Sequence, residues 1–140
     1  MRANKEKDKQ LLLKKIKKAI TGQMSASAAK QAVVYCDAFF KRVPLTELKH
    51  QTADTAAAMV SNQIRFLQQR SPGKLSIRAF NPDPKLDGWD CKHTVVELSN
   101  DDMPFLVDTS SMVLQELNLG VHLTVHPVLN VERDAKGKLK

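Results

Sequence analysis

Asn100-Asp101-Asp102-Met103-Pro104-Phe105-Leu106-Val107-Asp108 is the stretch on which the reading of this chain turns. Before it, His93 to Ser99 alternates apolar and polar residues with the period of a strand. After it, Leu106, Ser110, Val113, Leu114 and Leu117 recur at helical spacing as far as Leu119-Gly120. A change of period across nine residues describes a strand, a turn and a helix. Asp101 or Asp102 suits the helix start, because a carboxylate accepts hydrogen bonds from free backbone N–H groups and faces the positive end of the helix dipole. Pro104 fits a first turn, where its missing N–H would have no intrahelical partner. Gly120 is expected as the left-handed residue that ends the helix.

Upstream, the pattern is helical. Leu12, Leu13, Ile16, Ala19 and Ile20 place a first amphipathic helix at about 9–20, with lysines on its other faces. A lysine-solubilised terminal helix is preferred to a membrane-surface one. A second helix is expected at 27–42, where Ala29, Val33, Cys36, Phe39, Phe40 and Val43 form one stripe ended by Pro44. Helix returns over 45–70 in two pieces. Thr52 serves as the fresh N-cap, and Ala56, Met59, Val60, Ile64 and Leu67 form the buried face. Ser71-Pro72-Gly73 stops it.

From Lys74 strands appear, at about 75–80 and 93–99, with the helix at about 104–119 between the latter and a long third strand at 121–133. Asp134-Ala135-Lys136-Gly137 reads as a hairpin turn, and Lys138-Leu139-Lys140 as the first residues of a fourth strand. That reading implies a piece of a longer polypeptide, truncated inside a sheet. The fold class is therefore α+β. Residues 1–22 read as a basic N-terminal helix, 23–73 as a helical segment and 74–140 as an incomplete sheet domain.

The 140 residues suffice for one domain. The formal charge of +7 invites a nucleic-acid reading until it is located. Arg2 and seven lysines against Glu6 and Asp8 leave +6 in residues 1–22 and about +1 in all the rest. A charge confined to a terminal segment describes that segment alone. With aromatic residues at 5%, the chain lacks a base-stacking platform, so no nucleic-acid partner is expected. No apolar run approaches the roughly 20 residues of a membrane span. No signal-peptide pattern follows the basic start, which points to the cytoplasm. Cys36 and Cys91 read as reduced thiols, Cys36 as a small core residue.

Three groups of residues bear on chemistry. Asp101, Asp102 and Asp108 could serve as acid–base groups or ligate a cation, but capping and dipole compensation account for the first two. His122 and His126 are four apart, yet on a strand that separation is roughly 13 Å, too far for one ion. Adding Cys91 and His93 yields no recognised metal spacing, and no metal is expected. The five glycines are isolated, with neither a G-x-G-x-x-G nor a Walker loop, so no nucleotide cofactor is expected on these residues.

One family shares the motifs in order: Phe40-Lys41-Arg42-Val43, Arg65-Phe66-Leu67-Gln68-Gln69-Arg70, Phe80-Asn81-Pro82, Gly88-Trp89, His93-Thr94-Val95-Val96-Glu97, the Asn100–Asp108 stretch, and His122-Leu123-Thr124-Val125-His126-Pro127-Val128-Leu129. Over about 100 residues the chain resembles the N-terminal region of the large bacterial NAD-specific glutamate dehydrogenases. The resemblance implies a homo-oligomeric oxidoreductase of amino-acid catabolism, oxidising L-glutamate to 2-oxoglutarate and ammonia with NAD. Its catalytic and NAD-binding residues would lie outside this stretch. It also implies an ACT-like module, a class that binds amino-acid effectors or mediates contacts with other domains and subunits. Asn100, Asp101, Asp102, Phe105 and Asp108 are then the candidates for effector or interdomain contact. Effector-binding ACT domains usually carry glycine after the proline. Here it is Phe105, whose side chain is expected to cover the site and favour a docking role.

Overall fold

The computed structural model describes residues 2–140, with five helices and one two-stranded sheet among them. Helix α1 spans Arg2–Gln23, α2 Ala26–Phe40, α3 Leu45–Lys49 and α4 Ala53–Leu67. Strands β1 (Ser76–Phe80) and β2 (Val95–Ser99) follow, then helix α5 (Leu106–Glu116).

Helix α1 starts seven residues before the expected 9. Its first turns are built of straight-chain lysines and glutamate, which lose little rotamer freedom in a helix, and Gln10 Nε2 donates to Glu6 Oε1 at 3.1 Å. The lysines also do more than solubilise. Lys9 Nζ donates to the Lys41 and Val43 carbonyls at 2.9 and 2.8 Å, just past the end of α2, where such carbonyls lack intrahelical partners. Lys17 pairs with Asp37 at 2.6 Å. The opposite face carries Leu13, Ile16 and Ile20 into a core shared with Ala29, Ala32, Tyr35, Cys36, Phe39 and Phe40 of α2 and Ala56, Ala57, Val60 and Ile64 of α4. Alanines at the contact let the helices approach closely. Thr52 caps α4 as expected, its Oγ1 accepting from the Thr55 N–H at 3.1 Å. Cys36 is fully buried. Burial, with Asp37 beside it, pushes the thiol up to about 12, so it is inert as a nucleophile.

The sheet is antiparallel, with Ile77 opposite Leu98, Arg78 opposite Glu97 and Ala79 opposite Val96. Its polarity is inverted. The face turned to α4 carries the Arg78–Glu97 pair, while Ile77, Val96 and Leu98 face solvent. Arg78 Nη2 donates to Glu97 Oε2 at 2.6 Å and to Asn62 Oδ1 of α4 at 2.6 Å. Gln63 donates to Glu97 Oε1, and Asn62 Nδ2 donates to Asp87 Oδ1 at 2.9 Å. The Arg78 guanidinium also lies 4.1 Å from the Phe80 ring centroid and 5.2 Å from that of Phe66. The sheet is thus latched to the helices by a hydrogen-bonded polar layer.

Three expectations are corrected. The long strand expected at 121–133 does not form: among the described residues the segment joins no sheet, and its one ladder contact is the bridge of Arg133 to Leu139. Extended backbone becomes a strand only when a neighbour supplies hydrogen bonds. The helix expected at 104–119 spans 106–116 and buries no residue, so its stripe of Leu106, Ser110, Val113, Leu114 and Leu117 is not packed as an inner face. Its stop is made by Asn118, not Gly120. Asn118 has φ 55°, and the N–H groups of Asn118 and Leu119 donate to the carbonyls of Gln115 and Leu114, both at 2.9 Å. That is a Schellman motif with asparagine in the left-handed position.

Candidate functional site

The Asn100–Asp108 junction leaves β2 and enters α5 through a residue with an unusual backbone. Phe105 is the N-cap, with φ 63° and ψ 11° and no side-chain cap. Left-handed backbone strains a residue bearing a Cβ. The position thus keeps the conformation that glycine adopts freely, although the residue is phenylalanine. Phe105 is 75% exposed, so its side chain stands largely in solvent instead of filling a pocket among the described residues.

Neither aspartate caps the helix. Asp101 lies four residues before the cap position and turns the other way, accepting from Arg70 Nη2 at 2.5 Å. Asp102 is exposed. Asp108 stands in the first turn of α5, near the positive end of its dipole. Asn100 Nδ2 lies 3.3 Å from Met103 Sδ. The five candidates are therefore adjacent in sequence without converging on one point. Pro104 precedes the cap instead of lying in the first turn, and the cap falls on Phe105, past both aspartates.

Arg70 draws the junction towards the end of α4. It is nine-tenths buried, and its Nη1 donates to the Lys74 carbonyl at 3.0 Å. Arg133 comes in from the opposite end of the chain, its Nη1 donating to the Leu67 carbonyl at 2.8 Å and to that of Gly137 at 3.0 Å. Those bonds satisfy an orphan carbonyl of the last turn of α4. Burial, and then the neighbouring Arg70 guanidinium, hold Arg133 below the ordinary arginine range. The Nε groups of both arginines are buried without a hydrogen-bond partner among the described residues. Gly137, with φ 86°, passes so close to Arg70 that a Cβ there would overlap the Arg70 carbonyl. Arg70, Arg133 and Gly137 escaped the sequence reading because no periodicity joins residues more than sixty apart. A glycine in a hairpin turn is an ordinary sight.

Glu97 and Arg78 were equally unforeseen. Burial pushes the Glu97 carboxyl above the usual range, and the Arg78 and Gln63 contacts pull it back only in part. A signal existed. Alternation in both strands puts a charged residue at the centre of one face, and opposite signs there suit a cross-strand pair.

The structure does bring together two of the residues weighed as metal ligands. The His93 and His122 rings stack at 4.0 Å between centroids and 25° between planes. Cys91 Sγ donates to the His93 carbonyl at 3.0 Å. His126 does not join them, and among the described residues no group of three or more ligating side chains could hold a metal ion. Nor do the residues fit a dinucleotide: the left-handed glycines 73, 88 and 137 sit in separate turns and cannot together cradle a pyrophosphate. No helix among the described residues is long and apolar enough to cross a membrane.

Residues 35–140 match the family model described as glutamate dehydrogenase, ACT1 domain. The chain is similar to the NAD-specific glutamate dehydrogenase of Pseudomonas aeruginosa, 31% identical over 122 residues, which cover 87% of this chain and 8% of that protein. It is similar also to the NAD-specific glutamate dehydrogenase of Halomonas elongata, 30% identical over 129 residues, covering 92% of this chain and 8% of that protein. The chain thus spans less than a tenth of the length of these relatives. No solved structure matches it.

Proposed function

The chain belongs to the glutamate dehydrogenase ACT1 domain family, and from that membership we propose that it is a non-catalytic assembly or regulatory segment of a cytoplasmic, NAD-specific glutamate dehydrogenase. The longer enzyme would oxidise L-glutamate to 2-oxoglutarate and ammonia, with NAD held on residues outside this chain. The partners of the segment would be the other domains and subunits of that enzyme. The observation that carries the reading is the placement of apolar side chains in the second half. Ile77, Val96 and Leu98 cover the outer face of the sheet, Phe105 projects from the junction, and Met112 and Val113 of α5 and Leu117 just after it are exposed. An exposed apolar face such as that of Ile77, Val96 and Leu98 is characteristic of a contact between proteins or domains.

The test measures glutamate-dependent NAD reduction and sedimentation mass in three proteins: the 140-residue chain, the longer enzyme, and the longer enzyme carrying Ile77→Lys and Leu98→Lys. No NADH is expected from the chain alone, and altered mass or reduced activity from the double variant. Turnover by the chain alone, or a double variant indistinguishable from its parent, overturns the proposal.

A second reading, an amino-acid effector site at Asn100–Asp108, is favoured by one feature. Helix α5 begins without a side-chain cap, which leaves its first-turn N–H groups for a ligand carboxylate. Calorimetric titration of the longer enzyme with the amino acids decides it. An absence of binding heat for every one of them removes the effector.

A further inference from the structure

Two exposed helix faces carry matching patterns of opposite charge. On α1 the side turned away from Leu13, Ile16 and Ile20 presents Lys7, Leu11 and Lys15 at i, i+4 and i+8, with Lys18 about one turn further on. Leu11 is 57% exposed. Lys7, Lys15 and Lys18 are exposed too, and the ion pairs of α1 among the described residues are made by Asp8 and Lys17 instead. On α5 the same i, i+4, i+8 spacing holds Asp108, Met112 and Glu116. Met112 is 59% exposed, and the two acids are exposed on either side of it. Helix α5 contains no lysine or arginine and buries no residue. Each stripe is about 12 Å long, at 1.5 Å per residue. One reads base, apolar, base, and the other acid, apolar, acid.

We propose that the outward face of α1 docks antiparallel on the outward face of α5 of a second copy of this chain. Lys7 then meets Glu116, Leu11 packs on Met112, and Lys15 meets Asp108. The antiparallel sense is set by the third lysine. It brings Lys18 towards exposed Asp102, whereas a parallel pairing would carry Lys18 past Glu116 to Asn118 and Leu119, where no acid stands. Antiparallel helix dipoles also attract. The occupant is a second copy because the α1 stripe points away from the core that holds its own chain together. A lipid surface fits less well, since a single leucine among lysines is no apolar face to bury. In a two-fold pair of subunits the contact forms twice. Exposed ion pairs contribute little each, so these select which faces meet and in what sense, and Leu11 with Met112 forms the dry centre.

The inference rests on the assembly role proposed above and adds a second surface to it. Its test is cross-linking in the longer enzyme carrying Leu11→Cys and Met112→Cys, two exposed positions whose change leaves the core untouched. Mild oxidation is expected to join position 11 of one subunit to position 112 of another, and each single-cysteine variant to lack that link. A link within one chain, a link only between like positions, or no link overturns the proposal. Charge exchange then tests the pairing sense. Lys7→Glu is expected to slow linking severalfold, Glu116→Lys added to it to restore the rate, and Asp108→Lys added in its place to leave the rate low. Rescue by Asp108→Lys alone, or a rate indifferent to Lys7→Glu, overturns the antiparallel pairing. An absent link, with mass still altered in the Ile77→Lys, Leu98→Lys variant, would end the helix contact and leave the assembly role standing. A link formed while that variant matches its parent would end the role of the sheet face and leave the helix contact.

Discussion

The two halves of the molecule solve the burial problem in opposite ways. In residues 2–67 the helices turn Leu13, Ile16, Ile20, Phe40, Val60 and Ile64 inward, and their contact is almost wholly apolar. In residues 74–140 Ile77, Val96 and Leu98 of the sheet point outward. What attaches this half to the helices is a layer of hydrogen bonds and ion pairs around Arg78, Glu97, Arg70 and Arg133, with Val125 and Leu129 packed on the helical core beside it. Apolar contacts are non-directional and sum over area, so they make a self-sufficient core. Charge-assisted hydrogen bonds set geometry sharply but add little net stability once desolvation is counted. The helical half therefore supplies the stability, and the sheet half is positioned by it.

The largest effect that would expose this difference is expected in the helical core. Ile16→Ala should cost about 3 to 4 kcal/mol in denaturant unfolding, because Ile16 is 1% exposed and its loss opens a cavity. A cost under about 1 kcal/mol would show that α1 is not an integral part of the core. Next, Gly137→Ala should cost on the order of 3 kcal/mol, combining left-handed strain with overlap on the Arg70 carbonyl. Exchange of the Leu139 and Arg70 amides should accelerate first, reporting release of the tail from α4.

Arg78→Met should cost about 2 to 3 kcal/mol, discounted for the partial exposure of Arg78, since it leaves the Glu97 carboxylate buried without its cation. The pH dependence has a definite sign. A carboxyl whose folded value lies above its unfolded value takes up protons on folding. Its contribution favours the fold below the ordinary glutamate value and is lost as pH rises through the raised folded value. Glu97→Gln should flatten that part of the stability profile, and a profile unchanged by the substitution would contradict the burial of charge.

Smaller again, Phe105→Gly should stabilise by about 0.5 to 1 kcal/mol, relief of the φ 63° strain outweighing the freer unfolded chain. A raised thermal midpoint checks it, and a lowered one would mean that the exposed ring is held by contacts that matter. Ile77→Thr and Leu98→Thr come last. In the 140-residue chain each should move stability by no more than about 0.5 kcal/mol, as surface changes do. The same changes should cost more in the longer enzyme if that face is covered there.

Much of this was legible along the chain, and some of it not at all. The stripe in α2 and the break before Thr52 with its cap followed from spacing and capping chemistry, which act within four residues. The start of α5 was misplaced because Asp101 had a stronger partner than a helix end. An arginine thirty-one residues away took the carboxylate that local rules assign to a cap. The strand at 121–133 failed for a related reason. Its alternation is real, but a ladder needs a second strand. The exposure of Phe105 was not legible either, because its identity says nothing of which way the chain turns it.

Local sequence by itself determined the α+β order of elements, the apolar stripes of the helices, the turns at 71–73 and 134–137, and the motifs that placed the chain in its family. Those depend on backbone propensities and short-range hydrogen bonds, which neighbours along the chain supply. Only the tertiary structure decided that the sheet turns its ionic face inward, that Asp101 pairs with Arg70 instead of capping α5, and that residues 121–131 join no sheet among the described residues. These outcomes depend on which distant groups compete for a carboxylate, a carbonyl or a strand edge, and that competition is settled by desolvation and distance in three dimensions. The Asn100–Asp108 stretch belongs to both accounts: its residues announce a strand-to-helix turn, and Arg70 decides what its first acid does there.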